Sequence, residues 1–200
     1  MKYLVLDAMG VIYSVGDDVR DLLCPFIEEK GGSRDASRIE SLYLSASLGG
    51  VSASEFWKAV NLSPEVEDEY LQRHKLTDGL INFLEAIQSR DYEVWCLSND
   101  LSEWSKKLRA RFGLDDYFRG FIVSGEVGIR KPASAVFDYL LQRLGTKPPE
   151  VTFVDDQLRN LDSAAALGFH TVLFDPIGGM LSVKHLVVVT FSELLFLLTQ

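Results

Sequence analysis

Five polar residues stand where apolar segments of this chain end, and their types suit chemistry on a small anion. Asp7 follows the apolar run YLVL, and Asp155 and Asp156 follow VTFV. Ser98 ends VWCLS, and Lys131 lies in the loop sequence GEVGIRKP. Because ligands bind at the carboxyl ends of the strands in an open parallel sheet, we expect these side chains to form one site.

The three carboxylates indicate a metal. A lone Asp after a strand commonly caps a turn, so Asp7 by itself does not indicate a site. Three converging carboxylates repel one another and raise at least one pKa, and Mg²⁺ relieves that repulsion because it prefers oxygen ligands. We therefore expect Mg²⁺ at Asp7, Asp155 and Asp156. Asn160 is expected to belong to the next helix and, if it reaches the site, to support Asp156.

The sequence Ser98-Asn99-Asp100 indicates both an anion-binding strand end and the start of a helix. Asp100 is expected to cap the helix, while the Ser98 hydroxyl precedes the cap and can face an anion. Lys131 has an ordinary interpretation as an exposed loop residue. A carboxylate that attacks an anion nevertheless needs a positive charge beside it, which Lys131 or its neighbour Arg130 supplies.

Alternating apolar and helical segments predict the elements that position these residues. From residue 92 onward near-continuous apolar strands alternate with helical segments, which favours an α/β fold: a Rossmann-like, doubly wound parallel sheet with helices on both faces. The predicted strands are 3–6, 92–98, 118–124, 151–156, 170–175 and an edge strand at 185–189. The predicted helices are 78–90, 101–113, 133–145, 157–168 and 191–198.

A helical block interrupts this alternation after the first strand. Three segments with helical periodicity occupy 18–30, 37–48 and 52–60, separated by glycine pairs. We predict a core formed by 1–13 and 77–200 and an inserted helical cap formed by 14–76.

Composition limits the classes of partner. Hydrophobic residues make up 47% of 200 residues and the formal net charge is −9. An acidic chain is unsuited to nucleic acid or anionic membrane surfaces, which need a basic face, but a locally positive pocket for a small anion remains compatible with it. Because no signal peptide or membrane-spanning run is evident, we expect a cytoplasmic protein with a small anionic substrate.

The motifs LVLDAMGV, CLSND, RKP and FVDD, in this order, resemble the four motifs of the haloacid dehalogenase superfamily of hydrolases. Within it the chain is similar to small helical-cap members resembling glucose-1-phosphate phosphatase and the N-terminal domain of soluble epoxide hydrolase. The resemblance implies that Asp7 is the nucleophile and a Mg²⁺ ligand, with Met9 binding Mg²⁺ through its carbonyl. It makes Asp156 the direct metal ligand of the fourth motif, with Asp155 acting directly or through water.

The resemblance also implies a substrate site and a reaction. Ser98 and Asn99 would hold the transferring phosphoryl group, and Lys131 would neutralise Asp7 and the phosphate. The expected activity is Mg²⁺-dependent hydrolysis of a small phosphorylated metabolite through an aspartyl-phosphate.

Met9 departs from the superfamily pattern. Phosphatases of the superfamily usually carry a second Asp at this position, which protonates the leaving group and then activates water. A thioether cannot do this, and general acid–base catalysis is typically worth ~10²–10⁴ in rate. A 2-haloacid dehalogenase, whose halide leaves unprotonated, and a non-catalytic binding protein therefore remain alternatives.

Overall fold

A six-stranded, all-parallel sheet forms the centre of the computed structural model, which describes residues 2–200. The sheet order is β3-β2-β1-β4-β5-β6, so β1 lies between β2 and β4. The predicted α/β fold class is confirmed, and residue 1 of the predicted core lies outside the described residues. The strands are β1 (Lys2–Leu6), β2 (Tyr92–Ser98), β3 (Gly120–Val123), β4 (Val151–Asp155), β5 (His170–Phe174) and β6 (Leu186–Val188).

Alternate residues of the strands face opposite sides of the sheet and build two hydrophobic clusters. Leu4 and Leu6 of β1 belong to one cluster, and Val5 belongs to the other. Helices α5 (Leu80–Gln88), α6 (Ser102–Arg111) and α10 (Phe191–Leu198) pack in the first cluster, and α8 (Ser134–Leu144) and α9 (Leu158–Ala166) pack in the second. Helices thus cover both faces, as a doubly wound sheet requires.

The segment between β1 and α5 is mostly helical. A π-helical turn at Val19–Leu23 leads into α1 (Cys24–Glu29), followed by α2 (Ala36–Ala46) and α3 (Ala53–Ala59). Ser52 begins α3 with a capping box, in which its hydroxyl accepts from the Glu55 N–H. A further helix, α4 (Glu67–Gln72), lies outside the three predicted segments and follows a 3₁₀ turn at Pro64–Val66.

Several predicted elements are longer than those observed. The predicted strand 118–124 is β3 (Gly120–Val123), and the short helix α7 (Ser124–Val127) begins directly after it. Between β5 and β6 the structure has a loop, in which the Asp175 carboxylate accepts from the N–H groups of Gly178 and Met180. None of the helices in residues 2–200 has the length and apolar character needed to cross a bilayer.

Candidate active site

The first turn after β1 brings Asp7 against the end of β4. The Asp7 N–H donates to the Val154 carbonyl at 2.9 Å, which holds the two strand ends in register. Gly10 has φ +82°, a left-handed conformation that favours glycine. A Cβ on Gly10 would collide with the Asp156 carboxylate, so a larger residue there would displace this side chain.

Lys131 joins two strand-end carboxylates. Its Nζ lies 2.5 Å from Asp7 Oδ1 and 2.9 Å from Asp155 Oδ2, and it donates to the Leu97 carbonyl at 2.7 Å. The side chains of Lys131 and Asp155 are 1% and 0% exposed, so this ion pair is screened from water. Of the two cations considered from sequence, Lys131 is therefore the one beside Asp7.

Arg130 points elsewhere. Its Nη1 donates to the Ser47 hydroxyl, and its guanidinium carbon lies 5.7 Å from the centre of the Tyr43 ring. Tyr43 belongs to α2, and Ser47 directly follows this helix. Adjacent cations thus serve different parts of the cavity: Lys131 the strand ends and Arg130 the helical side.

Asp155 and Asp156 differ sharply in their surroundings. Asp155 Oδ1 accepts from the Gln157 N–H at 2.8 Å, and both its oxygens lie 3.0 Å from Asn160 Nδ2. Together with Lys131 these donors occupy the Asp155 carboxylate. Asp156 is half-buried, and the Gln157 side chain donates to its Oδ2 at 2.9 Å.

Asn160 therefore supports Asp155, and the expectation that it supports Asp156 is wrong. The reason is the turn between β4 and α9, which places the Asn160 amide behind the first carboxylate rather than beside the second. The Asn160 side chain is buried, and its Oδ1 has no hydrogen-bond partner within residues 2–200. It is a site residue that sequence reasoning placed in the helix.

The electrostatics of the site are dominated by an excess of negative charge. Burial raises the pKa of Asp7 well above its ordinary value, the Asp155 charge raises it further, and Lys131 opposes both. Burial likewise raises the pKa of Asp156 to about 6, with Asp155 adding to the effect. Burial alone would lower the pKa of Lys131, but Asp155 and Asp7 outweigh it and raise that pKa. The surroundings therefore favour the charged form of Lys131 and disfavour the charged forms of Asp7 and Asp156.

The three carboxylates fit a bound Mg²⁺. One oxygen from each of Asp7, Asp155 and Asp156 lies within 4.8 Å of the others. Asp7 Oδ2 and Asp156 Oδ1 have no hydrogen bond among residues 2–200, so each offers an oxygen of the type that Mg²⁺ prefers. Met9 lines the same cavity, and its role as a carbonyl ligand stays a prediction.

Ser98 and Asn99 lie at the end of β2 and line the cavity. Ser98 is 3% exposed. The Asn99 amide is engaged by the main chain of Lys131: Nδ2 donates to its carbonyl at 3.0 Å and Oδ1 accepts from its N–H at 2.9 Å. The Asn99 side chain thereby positions the Lys131 loop, and contact of Ser98 or Asn99 with a phosphoryl group stays a prediction.

Asp100 is not the cap residue of α6. The N-cap residue is Leu101. The Asp100 carboxylate, one residue earlier, accepts from the Leu101 N–H at 2.7 Å. The Asp100 N–H donates to the Ser124 hydroxyl at 3.1 Å, so this residue is held against the end of β3 before α6 begins. The prediction of capping by Asp100 is wrong by this one-residue offset.

A cavity of about 390 Å³ opens above the strand ends. Besides the predicted residues, its walls include Asp18, Glu40 and Tyr43 from the segment after β1, and Arg159 from α9. Sequence reasoning missed these four. The acidic pair at 17–18, which follows a glycine soon after the first strand, was the one local signal available for Asp18.

Comparisons with known proteins identify the group to which the chain is related. A family model described as haloacid dehalogenase-like hydrolase matches residues 1–168. The chain is 33% identical over 108 residues to a ribulose-1,5-bisphosphate 5-phosphatase of Halopiger xanaduensis, which is 54% of this chain and 45% of that protein. The chain spans less than half the length of the curated relatives it matches.

Solved structures share the whole fold. A haloacid dehalogenase-family phosphatase from Thermococcus onnurineus superimposes with a TM-score of 0.78 at 24% identity, covering 99% of this chain and 98% of that one. A family enzyme from Bacteroides thetaiotaomicron, solved with magnesium and inorganic phosphate, superimposes with a TM-score of 0.77 at 20% identity, covering 91% and 98%. At these identities the likeness establishes the fold.

Proposed function

This chain belongs to the haloacid dehalogenase-like hydrolases, and we propose that it is a Mg²⁺-dependent phosphatase of a small phosphate monoester. The observation that carries the proposal is the strand-end cluster, which we define as Asp7, Lys131, Asp155 and Asp156. It combines one free nucleophilic oxygen, one fixed cation and an excess of carboxylate. A relative named as a phosphatase and a magnesium- and phosphate-bound structural neighbour support the same assignment.

The proposed reaction uses Asp7 as nucleophile. Its carboxylate attacks phosphorus, the bond between phosphorus and the ester oxygen breaks, and the alcohol leaves with a proton from water. Water then attacks phosphorus of the aspartyl-phosphate, which releases inorganic phosphate and regenerates the Asp7 carboxylate. Splitting the displacement in two lets the same fixed charges act on both halves.

Lys131 and the two neighbouring carboxylates have distinct proposed roles. Lys131 neutralises Asp7 and the phosphoryl oxygens as charge develops on them. Asp155, whose oxygens are occupied by protein donors, positions Lys131. Asp7, Asp156 and the Met9 carbonyl would hold Mg²⁺, which would supply charge neutralisation for the phosphoryl oxygens.

The helical segment after β1 is proposed as a cap over this site. Residues of 14–76, among them Asp18 and Tyr43, line the cavity together with the strand ends of 1–13 and 77–200. A cap in this place would select the substrate by the groups it presents to the far end of the cavity. The cavity, with a volume of about 390 Å³, is large enough for a phosphorylated metabolite.

Dehalogenation is the second candidate, because Met9 carries no proton to donate. Halide leaves without protonation, so a 2-haloacid would not need the missing carboxylate. The half-buried Asp156 favours phosphate, because dehalogenation needs no metal ion and gains nothing from this further carboxylate.

The deciding experiment is a hydrolysis assay on both substrate classes. We expect p-nitrophenyl phosphate to be hydrolysed only with Mg²⁺ and 2-chloropropionate to be left intact. Asp7→Asn should abolish the activity, while Asp116→Asn, on an exposed turn, should retain it. Halide release without phosphate release would assign the chain to dehalogenation, and neither release would leave a binding protein.

A further inference from the structure

Besides Lys131, two arginines line the cavity. Arg130 precedes Lys131 and is half-buried, whereas Arg159 is in the first turn of α9 and exposed. Both line the same cavity, together with Tyr43, Leu44 and Glu40. Two guanidinium groups on one wall are a natural anion-binding arrangement, because each offers several N–H donors.

These are the cations of the cavity that the protein does not neutralise. Lys131 is held by two carboxylates within 2.9 Å. Within residues 2–200 Arg159 has no hydrogen bond or ion pair, and Arg130 bonds only the neutral Ser47 hydroxyl and stacks near Tyr43. The two guanidinium groups also repel each other, and burial together with the Arg159 charge lowers the pKa of Arg130.

The acidic groups of the same wall do not cancel this charge. Asp18 accepts from Tyr70 and pairs with His74, and Asp17 pairs with Arg20 at 3.7 Å. Glu40 remains, as one exposed carboxylate with no ion pair among the described residues. Asp100 is a further carboxylate whose charge acts on Arg130, but it makes no direct ion pair with it, so both guanidinium groups line the cavity without a direct acidic partner among the described residues.

We propose that Arg130 and Arg159 form a subsite for a second anionic group of the substrate, a carboxylate or another phosphate. This inference rests on the proposed phosphatase function and specifies its substrate class: phosphate monoesters that carry a second negative charge on the leaving group. The phosphoryl end lies at the strand-end cluster, and the second anion lies between the two guanidinium groups. A charge-assisted hydrogen bond to such a group is worth about 10- to 100-fold in affinity.

Aryl phosphates test this proposal without depending on the missing acid at Met9, because their leaving groups depart readily. The matched esters are 4-carboxyphenyl phosphate and the neutral 4-carbamoylphenyl phosphate, with 1,4-phenylene bisphosphate as the third, all assayed with Mg²⁺. We expect kcat/KM to be about 10- to 100-fold higher for an anionic ester than for the neutral one. The better of the two anionic esters identifies the second group as carboxylate or phosphate.

The variant is Arg159→Gln, and its control is Arg143→Gln, an exposed arginine of α8 that does not line the cavity. Arg159→Gln should lower the preference for the anionic esters at least fivefold, Arg159→Lys should retain part of it, and Arg143→Gln should retain all of it. Equal kcat/KM for the neutral and both anionic esters overturns the subsite while leaving the phosphatase proposal intact.

Binding to Asp7→Asn separates the subsite from turnover. The three esters are titrated calorimetrically into that variant with Mg²⁺, with and without Arg159→Gln in addition. Tighter binding of the anionic esters that depends on Arg159 supports the subsite even if no ester is hydrolysed, in which case only the phosphatase proposal fails. Equal affinities for the three esters overturn the subsite.

Discussion

Two buried clusters of charged and polar groups each contribute side chains to one cavity and differ in how their charges balance. In the strand-end cluster one cation, Lys131, faces the carboxylates of Asp7 and Asp155, and Asp156 lies close by. The second cluster, which we call the block cluster, consists of Asp18, Tyr70 and His74. There one carboxylate meets one hydroxyl and one imidazole.

The block cluster is balanced within itself. The Tyr70 hydroxyl donates to Asp18 Oδ2 at 2.5 Å, and His74 Nε2 lies 3.1 Å from Asp18 Oδ1. Burial lowers the pKa of His74, but the neighbouring Asp18 carboxylate outweighs it and raises that pKa. When His74 carries its proton, it neutralises Asp18 without a further ion.

The difference separates a reactive site from a structural one. Both clusters are buried and both contain Asp, so burial and residue type do not distinguish them. The strand-end cluster has more carboxylates than cations and keeps an unbonded oxygen on Asp7, whereas both Asp18 oxygens face protein partners. Uncompensated charge, rather than charge itself, marks the place where a metal and an anion are expected to bind.

Removing the cation of the strand-end cluster should have the largest effect. Lys131→Met leaves two buried carboxylates without a counter-charge, and we expect the free energy of unfolding to fall by about 3–5 kcal/mol. Mg²⁺ should restore part of the loss, because its proposed ligands in the folded state include Asp7, one of the two carboxylates left unpaired. Urea unfolding with and without Mg²⁺ measures both effects.

Lys147→Met is the control for that variant, since Lys147 is exposed and has no ion pair among the described residues. It should change stability by less than about 0.5 kcal/mol. A Lys131→Met protein as stable as the control would contradict the comparison.

Placing an acid at position 9 should increase the hydrolysis rate at the strand-end cluster. Met9→Asp should raise the rate of p-nitrophenyl phosphate hydrolysis by up to ~10²–10⁴, because the new carboxylate can protonate the leaving group and activate water. Met9→Asn introduces a side chain of the same shape as Asp that cannot act as a general acid, and it should show no such gain. Equal rates for the two variants would indicate that position 9 does not reach the leaving group.

The helical side of the molecule should respond in stability rather than in chemistry. Glu67 Oε2 accepts from the indole N–H groups of both Trp57 and Trp104 at 3.0 Å. Glu67→Ala leaves two buried donors unpaired, and we expect unfolding to become easier by about 2–4 kcal/mol. Glu65→Ala, at an exposed position, is the matched control and should be close to neutral. Thermal or urea unfolding decides, and equal effects of the two variants would show that the indoles do not depend on Glu67.

The smallest expected effect is a pH dependence near the block cluster. Burial raises the pKa of Asp100 to about 7, with Asp18 adding to the effect and His74 and Arg130 opposing it. The unfolded chain loses this proton near pH 4, so between pH 4 and 7 only the folded state keeps it and stability falls as pH rises. The slope for one proton is up to about 1.4 kcal/mol per pH unit.

Asp100→Asn removes that proton from the balance. Relative to the natural sequence, the variant should gain stability as pH rises from 5 to 7, when urea unfolding is followed at both values. Asp116→Asn, on an exposed turn, should run parallel to the natural sequence. Parallel curves for Asp100→Asn as well would show that Asp100 is ionised in the folded protein throughout this range.

The strand ends could be predicted from sequence because apolar runs locate the strands and a parallel sheet gathers their carboxyl ends. Asp7, Ser98, Lys131 and Asp156 all line one cavity for this reason. The bond from Asn160 to Asp155 could not be predicted, since one residue of difference in the β4–α9 turn decides which carboxylate it meets. Glu67 gave no local signal either, because its partner Trp104 lies 37 residues away.

The carboxylate shared by Trp57 and Trp104 has a consequence for how ligands reach Asp7. Trp57 belongs to α3 and Trp104 to α6, so Glu67 fastens the helical segment to a helix that covers the sheet. Swinging α3 away would break one of these bonds and bare two large indoles to water, which is unfavourable. We therefore expect the substrate to enter through the existing opening of the cavity without movement of α3, so that the size of this opening limits which substrates bind. A small phosphorylated molecule passes, whereas a phosphate on a folded protein surface stays outside.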